Sequence, residues 1–94
     1  MDINLDKFDK SAVAILKHLA AEFPTGKRID FKSLFTTTPS DDEFDTHRGA
    51  ITLLRDRKLI VETKSAKFTL SNEGLTMFGI PDIKSHLQTK VNEQ

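Results

Sequence analysis

Three histidines, a run of carboxylates and scattered hydroxyls are the groups in this chain that could do chemistry, and their spacing argues against it. His18, His47 and His86 lie far apart and fall on three different predicted helices, so none has the close spacing of a zinc site. The acidic run Asp41-Asp42-Glu43-Phe44-Asp45 lacks the alternation and the glycine of a calcium loop. Gly74 and Gly79, the closest glycine pair, do not build a phosphate-cradling loop, and no Ser stands in a nucleophile-elbow context. Catalysis is therefore not expected, and neither is a metal or cofactor. What remains is charge: Asp41 to Asp45 carry four acidic groups, whereas residues 46–70 carry six basic and two acidic ones.

That local contrast hides inside an overall balance of 14 basic and 14 acidic side chains. Neutrality excludes a chain that grips nucleic acid along its whole length, and equally an acidic disordered tail. A length of 94 residues, 37% of them hydrophobic, supports one domain over residues 1–94 with a single modest core. There is no Cys, hence no disulfide framework and no thiolate site, which suits a cytoplasmic protein. The N-terminus has no basic region leading into an apolar stretch, and no apolar run approaches the ~20 residues that span a bilayer. A soluble cytoplasmic domain is expected.

The elements that must position these charges follow from periodicity. Phe8, Ala12, Ile15, Leu16, Leu19 and Phe23 recur at three- and four-residue steps, predicting an amphipathic helix capped by Asp6 or Asp9 and stopped by Pro24 and Gly26. Lys27-Arg28-Ile29 reads as a short extended piece. Asp30 then opens a turn or two of helix through Phe31, Leu34 and Phe35, which Thr36-Thr37-Thr38-Pro39 ends. Ser40 and Glu43 form a capping box for a helix running to about Arg57. Phe44, Ala50, Ile51 and Leu54 are expected to face inward, with His47 at the rim of the core. Asp45, Gly49, Thr52 and Asp56 lie opposite, flanked by Arg48 and Arg55.

From Leu59 the chain turns β-prone. Leu59–Thr63 and Phe68–Leu70 read as two short strands around the connector Lys64-Ser65-Ala66-Lys67. Ser71 caps a short helix closed by Gly79, and Pro81 opens a last helix to about residue 91. The stripe Ile80, Ile83, Leu87, Val91 is expected to pack back onto the first helix. The alternative is that Ile83, Leu87 and Val91 join two copies as a homodimer.

This order of elements, an α+β arrangement, resembles a winged helix-turn-helix domain: a three-helix core, a two- or three-stranded β-wing and added C-terminal helices. The likeness covers roughly Lys10 to Phe78, within a domain core of about residues 8–79 and a last helix at about 81–91. Two stretches carry it. Ala50 through Ile60 is similar to a recognition helix running into the first wing strand, and Phe68-Thr69-Leu70-Ser71-Asn72-Glu73-Gly74 resembles a wing exit. The resemblance implies a transcription-regulator-like protein that binds duplex DNA. It puts Asp45, Thr46, Arg48, Gly49 and Thr52 in the major groove, with Arg48 matched to guanine O6 and N7. It puts Lys64 and Lys67 on phosphates, assisted by Arg55 or Arg57.

Two positions depart from the family pattern. Acidic groups crowd the helix end that would approach the duplex, although carboxylates there also serve as caps and favour the macrodipole. Lys58 stands where the family often has a helix-ending glycine. A second reading follows: a protein-interaction module on the same scaffold, without DNA, contacting its partner through Asp42, Asp45 and Leu53.

Overall fold

The computed structural model describes Ile3 and residues 5–93; Met1, Asp2, Asn4 and Gln94 lie outside the described residues. In chain order it contains α1 (Asp6–Ala21), α2 (Phe31–Leu34), α3 (Asp41–Asp56), β1 (Ile60–Lys64), β2 (Lys67–Leu70), α4 (Asn72–Thr76) and α5 (Ile83–Asn92). The described residues thus form an α+β fold of five helices and one two-stranded antiparallel sheet.

α1 buries the expected stripe Ala12, Ile15, Leu16 and Leu19, together with Ser11. Its ends differ from expectation. Leu5 is the N-cap and makes no side-chain cap, while Asp6 and Asp9 occupy the first turn, where negative charge favours the helix dipole. The helix stops at Ala21 because Pro24 disfavours helical backbone at Phe23, which is left partly exposed.

α3 begins on the expected capping box. Ser40 Oγ accepts from the Glu43 amide at 3.1 Å, and Glu43 Oε1 accepts from the Ser40 amide at 3.1 Å. The inward face is corrected by one position. Phe44 is 45% exposed and His47 is 1% exposed, so His47, Ala50, Ile51 and Leu54 make the stripe, at the i, i+3, i+4, i+7 spacing of one helix face. His47, one turn in from the solvated helix start, is held inside by Ser11 of α1 and the Ile29 carbonyl.

Helix α3 ends in a tight turn. Leu59 N donates to Leu54 O and Lys58 N to Arg55 O, both at 3.0 Å, with Lys58 at φ +61°. This is a Schellman closure with lysine in the left-handed position that glycine usually fills. In the hairpin that follows, β1 is shifted one residue along from the expected Leu59–Thr63 and β2 begins one residue earlier than expected, so Lys64 pairs directly with Lys67. Ser65 (φ +51°) and Ala66 (φ +64°) form a two-residue turn with the positive φ values of type I′. Lys27 adds a single bridge to the outer side of β2: its amide and carbonyl exchange 2.8 Å bonds with those of Phe68.

Ile60, Phe68 and Leu70 point into the core, as expected, beneath α1 and α3. The chain after β2 then folds onto the α3–β1 turn. Ser71 N donates to Leu59 O at 3.1 Å, the Ser71 hydroxyl donates to Lys58 O, and it also accepts from Gly74 N at 3.0 Å. A Cβ on Gly74 would sit 2.1 Å from Leu59 O, so only glycine permits this approach. Gly79, at φ +82°, closes α4 through Ile80 N to Leu75 O at 3.2 Å.

The last helix corrects two expectations. α5 opens at Ile83, two residues after Pro81, on the N-cap Asp82, whose Oδ2 accepts from Ser85 N at 3.2 Å. And α5 does not lie back on α1: it buries no residue, with Leu87 53% and Val91 70% exposed. Its start is held, where Ile83 packs against the core and donates its amide to Asn72 Oδ1 at 3.0 Å. The radius of gyration, 14.9 Å, exceeds the value of about 12 Å typical of a chain this long, as a projecting helix requires. Among the described residues no helix is long and apolar enough to cross a membrane.

Candidate nucleic-acid interface

Two surfaces present basic groups that could meet nucleic acid. The first is the outer face of α3. Arg48, Gly49 and Thr52 are exposed there, together with Asp45 and Asp56. Thr52 Oγ1 donates to Arg48 O at 3.0 Å, so its proton is used within the helix and its lone pairs face outward. The Arg48 guanidinium lies 5.9 Å from the centroid of Phe44, which gives the exposed ring a role in holding Arg48 over the helix. Nothing lies within 4 Å of a Cβ built on Gly49, so this glycine leaves an open notch in the helix face.

Two residues anticipated on this face are used elsewhere. Thr46 is half-buried and lines a cavity between α1, α2 and α3. Arg55 turns to the hairpin, 4.0 Å from Glu62 and with its guanidinium 5.4 Å from the Phe68 centroid. It fastens α3 to β1.

The acidic start of α3 is structurally occupied. Asp42 pairs with Lys7 of α1, which raises the Lys7 pKa through their hydrogen bond and charge attraction. The Glu43 carboxyl is held below its ordinary value, first by the Ser40 amide and then by the Ser40 side chain. Leu53, beside this face, is 45% exposed.

The second surface forms at the hairpin. Lys67 lines a shallow concavity with His18 of α1, Lys27 and Arg28 of the preceding extended segment, and Thr25, Gly26 and Ser33. Among the described residues no carboxylate lines it. The Lys27–Phe68 bridge makes this possible by bringing two residues distant in sequence alongside β2, and Gly26 lets that segment press against the Thr63 side chain. Lys64 stands opposite Lys67 at the tip. Sequence reasoning passed over Lys27 and Arg28. Their signal was the extended Lys27-Arg28-Ile29 stretch, which gains its place only when paired with β2.

Among the described residues, no three His, Cys, Asp or Glu side chains stand close enough to hold a metal ion. His47 is enclosed: Nε2 lies 2.6 Å from Ile29 O, and Nδ1 lies 3.2 Å from Ser11 Oγ. A carbonyl only accepts, so Nε2 carries the proton; Nδ1 in that tautomer accepts from the Ser11 hydroxyl. Phe31 and Phe35 meet the ring edge-on at 5.6 and 5.9 Å. The arrangement ties α3 to α1 and to the chain before α2. Compared with protein-family models, with curated proteins and with solved structures, the chain matches none.

Proposed function

We propose that this chain is a winged helix-turn-helix protein that binds duplex DNA, in the manner of a small transcription regulator. The observation that carries the reading is the carboxylate-free concavity of Lys67, Lys27, Arg28 and His18, next to the lysine-bearing hairpin tip. In this reading the hairpin is the wing and holds phosphates, while Arg48, Gly49 and Thr52 of α3 meet base edges. Asp42 and Glu43 count less against it than their number suggests, since one is paired with Lys7 and the other caps the helix. A cytoplasmic setting belongs to the proposal and rests on the cysteine-free composition.

Fluorescence anisotropy with a labelled duplex tests it. Binding at low salt that weakens steeply as salt rises is expected, with Arg48→Ala plus Lys67→Ala together removing most of it. No detectable duplex binding at low salt overturns the proposal.

The exposed Leu53 beside Asp45 favours a second reading, a protein-interaction module that does not bind DNA. Its partner would be lost on Leu53→Asp, or on neutralising Asp42 and Asp45. A partner that stays bound through those changes refutes it.

A further inference from the structure

A cavity of about 170 Å³ opens where α1, α2 and α3 meet. Phe31 and Phe35 form its aromatic wall, their ring centroids 4.6 Å apart and tilted by 34°. The buried Ser11 hydroxyl, already tied to His47, lies on its lining, and Thr46 closes the α3 side. Lys7, Lys10 and Glu43 also line it. The Lys10 ammonium stands over the Phe35 ring, 5.7 Å from its centroid.

We propose that this cavity binds a small aromatic monocarboxylate. Volume sets the size of the guest: an apolar cavity of about 150 Å³ takes up a single benzene ring. The facing phenylalanines select a flat apolar body, which offers them stacking and edge contacts. The charged groups select the polar end. Lys7 is already paired with Asp42, and Glu43 is bonded at Ser40, which leaves the Lys10 ammonium to meet one anionic group and disfavours two. Among the described residues Lys10 makes no ion pair, although the Glu43 carboxylate attracts it, and Lys7 has further N–H donors beyond the one given to Asp42. The Glu43 carboxylate accepts from the Ser40 amide and so stays on its own helix start. Apart from Thr46, no residue of the proposed DNA surface lines the cavity, so this site stands without that reading.

The test is a titration of the full chain followed by amide NMR, with benzoate as the probe and benzylamine as the same ring with opposite charge. Benzoate is expected to give saturable shifts centred on Ser11, Phe31, Phe35 and Thr46. Benzylamine should bind at least about tenfold more weakly, and Lys10→Gln should weaken benzoate by about three- to tenfold. Thr46→Leu, which places extra carbons in the cavity, should abolish the shifts. Because Thr46→Leu can also perturb folding, the exposed Lys10→Gln variant provides the independent check. Absence of saturable shifts at those residues overturns the proposal. So does equal binding of the two probes, or benzoate affinity unchanged by Lys10→Gln.

Discussion

His47 Nε2 donates to the carbonyl oxygen of Ile29 across 2.6 Å, inside the core. The bond joins the middle of α3 to the segment leading into α2, and Ser11 extends it to α1. A buried polar group that is fully partnered specifies position, whereas one that loses a partner carries its desolvation cost uncompensated.

His47→Leu therefore leaves the Ser11 hydroxyl and the Ile29 carbonyl without their partner. Urea denaturation should show a loss of about 2–4 kcal/mol, and Ser11→Ala a loss of about 1–2 kcal/mol. The double variant should cost less than the sum, because the two residues share one network. Strict additivity would mean that the network does not act as a unit.

Lys58 holds a left-handed conformation that costs a side-chain-bearing residue about 1 kcal/mol relative to glycine. Lys58→Gly should raise the unfolding midpoint accordingly. Gly74→Ala should do the reverse, by about 2 kcal/mol or more, because its new Cβ meets the Leu59 carbonyl. Gly49→Ala, in open space, should stabilise α3 by up to about 1 kcal/mol. If Gly49 faces a DNA groove closely, that same stabilised variant will bind duplex less well.

Acid should weaken the fold through two caps. Glu43 lies below its ordinary 4.5, first through the Ser40 amide, and Asp82 lies below 3.8, first through the Ser85 side chain. A depressed carboxyl binds fewer protons folded than unfolded, so its stabilisation is present above the ordinary value and lost as pH falls through the depressed one. Urea midpoints should therefore drop as pH is lowered below about 4.5. Glu43→Gln keeps a capping partner for Ser40 and removes the titration, so with Asp82→Asn it should flatten that drop.

On the DNA-binding proposal, Lys27→Ala, Arg28→Ala and Lys67→Ala should each lower the slope of log affinity against log salt by about 1. Arg48→Ala should instead change sequence preference. Unaltered slopes in all three basic variants would remove the concavity from the interface.

Leu87 and Val91 are exposed, so Leu87→Glu with Val91→Glu should leave the unfolding free energy of the monomer within about 0.5 kcal/mol. A larger loss at low protein concentration would show that α5 is packed after all. Sedimentation at higher concentration reads the homodimer alternative with the same variant.

Local chemistry was legible in the chain itself. Ser40 and Ser71 cap the helices they precede, Gly79 closes α4, and the β-prone runs either side of Ser65-Ala66 pair as a hairpin, because caps and turns are decided by residues within a few positions. The inward face of α3 was nearly legible: His47, Ala50, Ile51 and Leu54 keep perfect helical spacing, but hydrophobicity alone points to Phe44. Only tertiary packing supplies Ile29 and Ser11, the two partners that make a histidine cheaper to bury than that phenylalanine. The same holds for the basic concavity and the aromatic cavity, whose walls come from segments far apart in sequence. And the apolar stripe of α5 fixes a helix without fixing what it faces, since periodicity is a property of one segment and burial a property of two.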